Sequence, residues 1–573
     1  MIMKALWLVL PLISSVRSQT SCRCLAGDQC WPSDSDFSIL AGQVSQPLLY
    51  PKPPAAACYP TSKPSGNCSE VTDNARNGNW RSGQPGSMQS PNFETYIHGN
   101  GTIDACYVNV TLGYKCKQGS VPVTGVDAHT ISDVQAAVKF ASQHNLRLVI
   151  KNTGHDYLGR STARGSFLLW THNLKDITYN EGFVPDGAPT GESRSKALTL
   201  GAGVQWFEAY NAAETNGRFI VGGLSMGASV GAAGGWIQGG GHSAFSARHG
   251  LGVDNVLQFT AVTASGEYLT ANAFKNVDLF WALRGGGGGT YAVVTSATYL
   301  THDRVPLTAT YVLANFTTPA IAQDVTTEFV KIHPGLADAG WGGYSFISPL
   351  GLQLFYIAPN VSLDNANATI QPFVQYVTNA TGGPGSNNLQ AFVVPFESFY
   401  AWYVATYTIG EQVGESLELG SRLIPRETFE KEPAKMAQAM LSVNSGVTIN
   451  FVAGGAVSKP DPESMGLNPA WRKALGHVLF TENWAEGANI TEIQKAKQRV
   501  RDYVRILDTL TPESGAYFNE ATLYEVNPQK TFFGSHYAKL REIKAKYDPQ
   551  SLFVVASGVG SEEWDGSLNC RHK

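Results

Sequence analysis

Two histidines follow glycine at points where the sequence changes from apolar or β-branched to glycine-rich. Residues 148–162 read LVIKNTGHDYLGRST, so His155 comes soon after a β-branched run, and His242 ends the segment GGWIQGGGH. Eleven glycines lie between positions 222 and 252. Glycine lets backbone N–H groups approach a ligand closely, because no Cβ stands in the way. This density of glycine favours a ligand site held by backbone groups over a simple set of tight turns.

The usual nucleotide signatures are absent from the sequence. Neither GxGxxG nor GxxxxGK[ST] occurs, which disfavours a Rossmann dehydrogenase and a P-loop enzyme. Two segments, GLSMG at 223–227 and GASVG at 227–231, match GxSxG, the nucleophile elbow of serine hydrolases. The elbow serine should open a helix, and GASVGAAGGW is a poor helix former, so a serine hydrolase is a disfavoured alternative.

Two sets of residues carry donors that a metal ion could use. The first set consists of His155, Asp156, His242 and His249. No pair in it has the i, i+4 spacing that places two imidazoles on one helix face. The second set consists of Cys22, Cys24 and Cys30. No matching His or Cys pair follows at zinc spacing, so we predict that the protein binds no metal.

The elements that position His155 are predicted by periodicity. Residues 129–145, HTISDVQAAVKFASQHN, predict an amphipathic helix with Thr130 as N-cap and Asp133 at the third helical position. The next segment, LRLVIK, predicts a buried strand that leads directly to the Gly-His pair. Residues 198–217 predict strand, turn and helix, and TYAVVTSATYL predicts another strand.

The second half of the chain has a different character. Residues 305–505 alternate apolar strands, such as TATYVLANF and GHVLFTENW, with helices, which indicates an α+β lobe with an antiparallel sheet. The aromatic run FYAWYVATY could line a pocket or belong to the core. The tail predicts a helix at HYAKLREIKAKY and a terminal strand at LFVVA.

Length and charge limit the possible functions. A chain of 573 residues is too long for one hydrophobic core, so two or more lobes are expected. The net charge of −4 and the lack of a basic run disfavour a nucleic-acid partner. The first residues, MIMKALWLVLPLISSVRSQ, have the layout of a secretory signal peptide, and no apolar stretch is long enough to span a bilayer. We expect a secreted, soluble protein with no membrane partner.

Cysteines and sequons agree with export. Seven of the eight cysteines lie between positions 22 and 116, and Cys570 stands alone near the end. An even number of cysteines in an exported chain predicts disulfides. Eight Asn-X-Ser/Thr sequons predict an N-glycosylated extracellular protein. They are at Asn67, Asn100, Asn109, Asn315, Asn360, Asn367, Asn379 and Asn489.

Several segments, taken in order, resemble one protein family. They include VDAHTISDVQAAVKFASQHNLRLVIKNTGHDYLGRS, GAGVQWFEAY, VGAAGGWIQGGGH, GLGVDNVL, LFWALRGGGGGTYAVVT, AYFNE and REIKAKYDPQSLF. Over residues 121–553 the chain resembles FAD-linked oxidases of the vanillyl-alcohol oxidase superfamily, in the berberine-bridge-enzyme-like branch. The N-terminal CRCLAGDQCWPSDSDFSIL resembles secreted fungal members described as isoamyl alcohol oxidases. The resemblance implies an α+β, two-lobed PCMH-type FAD-binding fold with a substrate lobe built on an antiparallel sheet.

Together these patterns divide the chain into five predicted segments. They are a signal peptide (1–18), a disulfide-rich N-terminal extension (19–116), an FAD-binding PCMH-type domain (117–303), a substrate-binding domain (304–505) and a C-terminal berberine-bridge-like segment (506–573). The last segment is expected to return to the FAD lobe.

The resemblance implies FAD as cofactor, covalently linked through His155 to the flavin 8α carbon. Asn152, Thr153 and Gly154 match the loop whose backbone amides hold the pyrophosphate, and Lys151 stands where the family usually has arginine. Further cofactor contacts are implied for Asp156, Ser161, Gly223, Gly231, Gly234, Gly235, Gly239, Val294 and Asn519.

A second covalent bond to the flavin, present in many members of this branch, is not expected here. In those members a cysteine lies six residues before a Gly-Gly pair. Counting back from Gly234-Gly235 reaches Ala228, and no cysteine occurs between Cys116 and Cys570. Attachment is therefore expected through His155 alone.

The implied reaction is oxidation of a C–OH or C–N bond of a small organic substrate, with O₂ accepting the electrons and H₂O₂ released. A general base helps to remove the heteroatom proton. Tyr517 in AYFNE matches a tyrosine that lies near the flavin in related enzymes. Its ordinary pKa of about 10 must fall for it to act as base, and it could equally pack on the flavin or orient substrate. Glu520 and Tyr524 are further candidates, and His242 is expected to be structural.

The family contains several chemistries, and the sequence does not select a substrate. A flavin-dependent dehydrogenase and an oxidative cyclase of the same fold are alternatives to the oxidase. A secreted glycoprotein without redox turnover is the non-enzyme alternative. We expect a monomer whose partners are a small-molecule substrate and O₂.

Overall fold

The computed structural model describes residues 22–407 and 413–572. The predicted signal peptide at 1–18 lies outside the described residues. In chain order the strands are β1 Tyr96–Ile97, β2 Ile103–Asp104, β3 Thr124–Asp127, β4 Leu148–Lys151, β5 Phe167–Trp170, β6 Ile177–Phe183, β7 Ser195–Gly201, β8 Arg218–Phe219, β9 Val256–Val262, β10 Tyr268–Asn272, β11 Val293–Leu300, β12 His302–Asp303, β13 Leu307–Asn315, β14 Gly342–Ser348, β15 Gly351–Pro359, β16 Leu389–Phe396, β17 Ser416–Pro425, β18 Val447–Phe451 and β19 Ala474–Trp484.

The α-helices alternate with these strands along the chain. They are α1 Asp34–Ala41, α2 Cys68–Asn74, α3 Gly78–Ser82, α4 Ile131–Gln143, α5 Trp206–Thr215, α6 Gly235–Gln238, α7 Ser246–His249, α8 Gly252–Asn255, α9 Val277–Leu283, α10 Pro319–Asp338, α11 Leu363–Ala380, α12 Phe399–Tyr407, α13 Arg426–Lys431, α14 Pro433–Leu441, α15 Ile490–Leu510, α16 Pro528–Phe533 and α17 Tyr537–Tyr547.

The first lobe combines a small parallel sheet with an antiparallel one. The parallel strands have the order β3-β5-β4, and the antiparallel strands have the order β10-β9-β11-β7-β6. Helix α4 packs its apolar face, which includes Val134 and Val138, against the parallel sheet. The predicted cap of this helix is confirmed: the Thr130 side chain accepts from Asp133 N, and the Asp133 side chain accepts from the Thr130 N–H. The predicted strand LRLVIK is present as β4.

The second lobe is built on an antiparallel sheet of order β16-β13-β15-β14-β18-β19-β17. One face of the sheet packs against α10, α11, α14 and α15 through a shared hydrophobic core. Successive side chains of a strand point to opposite faces, so Asn450 and His477 point away from that core because their neighbours Ile449 and Val478 belong to it. Asn450 and His477 are register partners on β18 and β19. The structure thus confirms the α+β, two-lobed fold, while the segment boundaries stay predictions.

Disulfides tie the N-terminal residues to the rest of the chain. The pairs are Cys22–Cys570, Cys24–Cys30, Cys58–Cys68 and Cys106–Cys116, and no cysteine of the described chain is free. The prediction of disulfides is confirmed, and the alternative of metal-bound thiolates at Cys22, Cys24 and Cys30 is excluded. Further ties are polar, since the backbone N–H and the hydroxyl of Ser45 both donate to Asp133 at 2.7 Å.

The predicted strand at LFVVA is wrong. Residues 552–556 are assigned to no strand, because side chains take up the backbone hydrogen bonds of this segment. Asp548 accepts from the N–H groups of Leu552 and Phe553, and Arg147 donates to the carbonyl of Val554 at 2.7 Å. An apolar run therefore lies in the interior without joining a sheet.

The aromatic run FYAWYVATY forms helix α12 and belongs to the core. Phe399, Trp402 and Tyr403 are buried in the cluster that joins the two lobes, with Tyr210 packed edge-on against Phe399. The Trp402 indole N–H donates to the Tyr311 hydroxyl at 3.0 Å. Across the described residues, no helix combines the length and apolarity needed to cross a bilayer.

Candidate active site

A large cavity lies at the end of β4, between the glycine-rich loop at 222–242 and the C-terminal segment at 517–520. Its walls enclose about 1480 Å³ of space outside protein atoms, counting the open mouth. Because this volume includes open space at the mouth, the lining residues, and not the volume, indicate which ligand the cavity fits.

Glycine at position 154 is required by close packing and by backbone conformation. Gly154 has φ of +81°, in the left-handed region that favours glycine. A Cβ there would lie 3.1 Å from Ser87 O and 3.2 Å from Met88 Cα. The Gln89 N–H donates to the Gly154 carbonyl at 3.0 Å, so the N-terminal extension holds this turn from behind. The turn presents His155 to the cavity.

The His155 ring makes a hydrogen bond through one of its two nitrogens. Its Nε2 lies 2.7 Å from Ser229 Oγ, and Nδ1 has no hydrogen-bond partner among the described residues. Burial lowers the pKa of His155 to about 4, against which the Glu520 carboxylate has a smaller raising effect. The imidazole is therefore neutral at ordinary pH and its free nitrogen is nucleophilic.

Glycines on the opposite wall make a cradle of bare backbone. A Cβ at Gly231 would overlap the Asn152 side-chain amide, and one at Gly234 would lie 3.2 Å from it. A Cβ at Gly235 meets no atom within 4 Å, so at that point the backbone itself faces open space. The Asn152 side chain thus lies over Gly231 and Gly234, and at Gly235 a ligand can approach the backbone closely.

Several buried polar atoms around the cavity have no partner in the protein. They are Asn152 Oδ1, Arg160 Nη1, Ser225 Oγ, Gln238 Oε1 and His242 Nδ1. Buried polar groups are almost always hydrogen-bonded in native proteins, so this set calls for a polar ligand. A dinucleotide, with phosphates and a polar ring system, can satisfy both the donors and the acceptors. The cradle and the unpartnered atoms together fit FAD.

A carboxylate with two imidazoles borders the same cavity. Glu520 Oε1 lies 3.1 Å from His242 Nε2, and Glu520 Oε2 lies 3.5 Å from His477 Nδ1. Burial raises the pKa of Glu520, but the neighbouring imidazoles of His242 and His477 lower it by more, so the net shift is downward. Glu520 is thus anionic at ordinary pH. The three donor atoms lie within 4.8 Å of one another.

Tyr517 and Asn519 approach the cavity from the same segment. The Asn519 amide donates to the Tyr517 hydroxyl at 2.8 Å and to the Gly235 carbonyl at 2.9 Å. Burial, reinforced by the Glu520 carboxylate, raises the pKa of Tyr517 above its ordinary value. This is opposite in direction to the shift that a tyrosine base needs, so Tyr517 stays protonated.

Most residues predicted to form the site line this cavity. They are Asn152, Thr153, Gly154, His155, Asp156, Ser161, Gly223, Gly231, Gly234, Gly235, Val294, Tyr517 and Asn519. Two predicted residues do not line it. The Lys151 ammonium donates to the Gln84 carbonyl at 2.6 Å and lies over the Trp170 ring, because its side chain enters the interior. Gly239 lies under Asn519, where a Cβ would overlap the amide.

Other residues of the site were missed from the sequence or given another role. Sequence patterns indicate Ser229 only as a hydrolase nucleophile and Glu520 only as a further candidate base, and they give no signal for His477. Arg160, which pairs with Asp156 and donates to Asn519 Oδ1 at 2.9 Å, was also missed. The only signal for Arg160 was its place in the loop that begins at the Gly-His pair.

The structure brings together neither the serine-hydrolase site nor the metal site that the sequence offers as alternatives. Ser225 Oγ has no partner, and the nitrogen of His155 that faces away from Ser229 contacts no carboxylate, so the described residues contain no hydrolase triad at this loop. The four metal candidates are also not brought together, because Asp156 pairs with Arg160 and His249 packs against His302 with ring centroids 4.3 Å apart.

The two-lobed fold and the glycine-lined cavity with its unpartnered polar atoms fit a flavoprotein. Comparison with known proteins identifies the family. A family model described as FAD binding domain matches residues 125–272, and one described as Berberine and berberine like matches residues 516–560. The chain belongs to the berberine-bridge-enzyme-like FAD-linked oxidoreductases of the vanillyl-alcohol oxidase type, and it is an enzyme.

Relatives and solved structures match along nearly the whole chain. An uncharacterized FAD-linked oxidoreductase of Arthroderma benhamiae is 37% identical, over 96% of this chain and 96% of that protein. The VAO-type flavoprotein MtVAO615 of Myceliophthora thermophila has a TM-score of 0.84 at 30% identity, over 96% of this chain and 100% of that chain. Glucooligosaccharide oxidase from Acremonium strictum shares the fold, with a TM-score of 0.63 and 20% identity over 77% of this chain and 92% of that chain.

Proposed function

We propose that this protein is a secreted oxidase that uses FAD to oxidise a C–OH or C–N bond of a small organic substrate, with O₂ as acceptor and H₂O₂ as product. The observation that carries the proposal is that the glycine cradle and the Glu520 carboxylate border one cavity. Bound FAD supplies the hydride acceptor, and O₂ takes the electrons from it. The protein supplies position and a proton acceptor.

We propose that His155 holds the flavin covalently. The glucooligosaccharide oxidase is described as carrying a 6-S-cysteinyl, 8α-N1-histidyl FAD, and N1 of histidine is Nδ1. In the present chain Nδ1 is the ring nitrogen without a partner, which supports a bond at that atom. Asn152, Thr153 and Gly154 then offer their backbone amides to the pyrophosphate.

Attachment through a single bond follows from the cysteines. All eight are in disulfides, and Ala228 occupies the place of the second linking residue. Denatured protein should stay yellow and fluoresce, since no sulfur at flavin C6 quenches the emission. His155→Ala should release the flavin under denaturant and slow turnover. Release of all FAD from the wild-type protein in acid would show that the covalent assignment is wrong.

We propose Glu520 as the acceptor of the substrate's heteroatom proton. A carboxylate that remains anionic at the cavity wall can take this proton, and His242 and His477 hold it in place. Tyr517, predicted as the catalytic residue, then acts as a neutral hydroxyl that hydrogen-bonds the reacting group. Substrate C–H donates hydride while O–H or N–H donates the proton, so a carbonyl or imine forms.

The proposed reaction is tested with a panel of alcohols, sugars and phenols. The expected result is bleaching of the flavin by a substrate without air, then recovery of colour and release of H₂O₂ when O₂ is admitted. A reduced flavin that ignores O₂ but passes electrons rapidly to a quinone would identify a dehydrogenase. Ring closure in the product would identify a cyclase, and a flavin that no compound bleaches would favour the non-catalytic glycoprotein.

Secretion is proposed from the sequons and disulfides together. Seven of the sequon asparagines are exposed and Asn367 is half-buried, so glycan acceptors lie at the surface. Glycosidase treatment of protein from a eukaryotic host should lower the mass by several kilodaltons. Protein that stays inside the cells, without glycans, would contradict secretion.

A further inference from the structure

A serine behind His155 is the polar partner of its ring. Ser229 Oγ lies 2.7 Å from His155 Nε2, and Ser229 is only 1% exposed. The contact joins residues 74 positions apart, so it exists only because the glycine-rich loop folds back against the end of β4. It fixes the ring and leaves Nδ1 as the nitrogen without a partner.

The N-terminal extension holds the loop that carries Ser229. The Gln205 side-chain amide donates to the Ser229 carbonyl at 2.9 Å and to Asn79 Oδ1 at 3.0 Å. The Asn79 amide donates in turn to the Gly227 carbonyl at 3.2 Å. Asn79 belongs to α3, so one short helix of the extension and one side chain of the FAD lobe clamp both ends of this turn.

Helix α3 also contacts Ser229 directly. A Cβ added at Gly78, the first residue of α3, would overlap Ser229 Oγ. The hydroxyl is therefore enclosed between the helix backbone and the His155 ring. Its position is set by packing on one side and by a hydrogen bond on the other.

We propose that Ser229 is the positioning residue for covalent attachment of FAD, and that α3 of the N-terminal extension is part of the attachment site. The inference rests on the proposed link through His155 and goes beyond it. Ser229 fixes the orientation of the ring, and in the tautomer with hydrogen on Nε2 it accepts that hydrogen. This tautomer places the lone pair on Nδ1, where the new bond forms.

The attachment step balances as follows. A bond forms between Nδ1 and the flavin 8α carbon, one C–H bond of the 8-methyl group breaks, and the Nε2–H bond breaks. The two electrons and two protons released in this step would pass to O₂, giving H₂O₂. O₂ is the oxidant that the proposed oxidase reaction already uses.

A hydroxyl is suited to this position before and after the step. Before attachment Nε2–H donates to Ser229 Oγ. After attachment Nε2 has a lone pair and the Ser229 hydroxyl donates to it. Serine and threonine hydroxyls are both donor and acceptor, so one side chain serves the two states, whereas alanine serves neither. The low pKa of His155 agrees with a ring that is neutral throughout.

The test compares three variants with the wild-type chain. Protein expressed under riboflavin limitation is incubated with FAD, and the fraction of flavin that stays with acid-precipitated protein is followed over time. Ser229→Ala should slow attachment about tenfold, the rate effect of losing one hydrogen bond in the transition state. Ser229→Thr should restore most of the rate.

Ser265→Ala is the control. Ser265 is exposed in the turn between β9 and β10 and does not line the cavity, so its loss should leave the attachment rate unchanged. A shift of the near-ultraviolet flavin band reports substitution at the 8α carbon independently of turnover. Melting temperature and total bound flavin check that each variant is folded and retains its cofactor.

Three results would overturn the proposal. They are wild-type rates for Ser229→Ala, equal slowing by Ser265→Ala and Ser229→Ala, and failure of Ser229→Thr to restore the rate. His155→Ala separates the two levels of inference. If the His155→Ala variant releases all its flavin while the Ser229→Ala variant attaches flavin at the normal rate, the covalent link through His155 is supported and the role of Ser229 is wrong. Wild-type protein that releases all its flavin in acid overturns both, but leaves an FAD-dependent oxidase intact.

Discussion

The proposed chemistry depends on the setting of one carboxylate. Glu520 is placed at the cavity wall by the same segment that carries Tyr517 and Asn519, three positions apart at most. His242 and His477 hold its two oxygens from different lobes. The imidazoles keep the carboxylate anionic, so it is free to accept a proton, whereas burial keeps the Tyr517 hydroxyl protonated.

Glu520→Gln should lower kcat on the order of 10²–10⁴-fold, the usual contribution of a general base, because the amide cannot accept the proton. Flavin content and melting temperature should change little, since glutamine keeps the shape and can still hydrogen-bond His242. Glu513→Gln is the control, as this residue is exposed in the same part of the chain. Unchanged kcat and an unchanged pH profile for Glu520→Gln would transfer the role of base to another residue.

At the scale of elements, helix α3 and the glycine-rich loop act as one unit. The helix is only five residues long, yet its N-terminus touches Ser229 and its Asn79 binds the Gly227 carbonyl. The loop contains residues with positive φ at Gly227 and Ala228, so its path depends on outside contacts. A substitution on α3 should therefore alter the flavin site.

Gly78→Ala should slow covalent attachment of FAD, because the new Cβ displaces the Ser229 hydroxyl from His155. Gly83→Ala is the matched control at the C-cap of the same helix, where a Cβ would lie 3.5 Å from the nearest atom, an ordinary contact. The measurement is the acid-stable flavin fraction over time. Equal rates for the two variants would show that α3 does not reach the attachment site.

At the scale of the whole molecule, the ends of the described chain are joined. The Cys22–Cys570 disulfide closes a separation of 548 residues, and it lies beside Arg23, which stacks on Trp564. A cross-link stabilises mainly by restricting the unfolded chain, and more so for long loops. The Cys106–Cys116 disulfide, by contrast, closes a separation of 10.

Replacing Cys22 and Cys570 by serine should lower the free energy of unfolding by roughly 2–4 kcal/mol. Replacing Cys106 and Cys116 should cost less, because the closed loop is far shorter. Guanidinium unfolding of both double variants measures the difference. An equal or larger loss for the short loop would show that native-state strain or packing, and not chain entropy, sets the effect.

Stability should fall in acid because several histidines are buried as neutral rings. Burial is the main cause that lowers the pKa of His249 to about 3 and of His302 to about 4, and the mutual proximity of the rings adds to it for His249. The unfolded chain takes up these protons first, near its ordinary pKa of 6.5. The stabilising contribution is complete above that pH and is lost as pH falls from 6.5 toward 3.

Calorimetry at pH 7 and pH 4 should therefore give a lower Tm at pH 4. His249→Phe removes one titrating group from an aromatic cluster with Phe219 and Phe245, so the variant should lose less Tm between these pH values. A variant with the same loss as the wild-type protein would mean that carboxylates, and not His249, cause the acid sensitivity.

The sequence by itself determined what depends on neighbouring residues and on residue type. Helix α4 and its Thr130 cap follow from an i, i+3 pattern, and the turn that presents His155 follows from glycine at a position of positive φ. The absence of cysteine between Cys116 and Cys570 excludes a cysteinyl bond to the flavin from the glycine-rich loop. These features involve contacts within a few residues, whose energies a local pattern already contains.

Only the tertiary structure decided which distant side chains meet. Ser229 reaches His155 across 74 positions and Glu520 reaches His242 across 278, and no periodicity carries such a pairing. The Lys151 side chain lies in the interior and donates to the Gln84 carbonyl. The apolar run at 552–556 forms no strand, because its backbone groups hydrogen-bond with the side chains of Asp548 and Arg147. In each case the partner is set by the packing of separate elements, because buried polar groups take whichever partner the folded chain brings near.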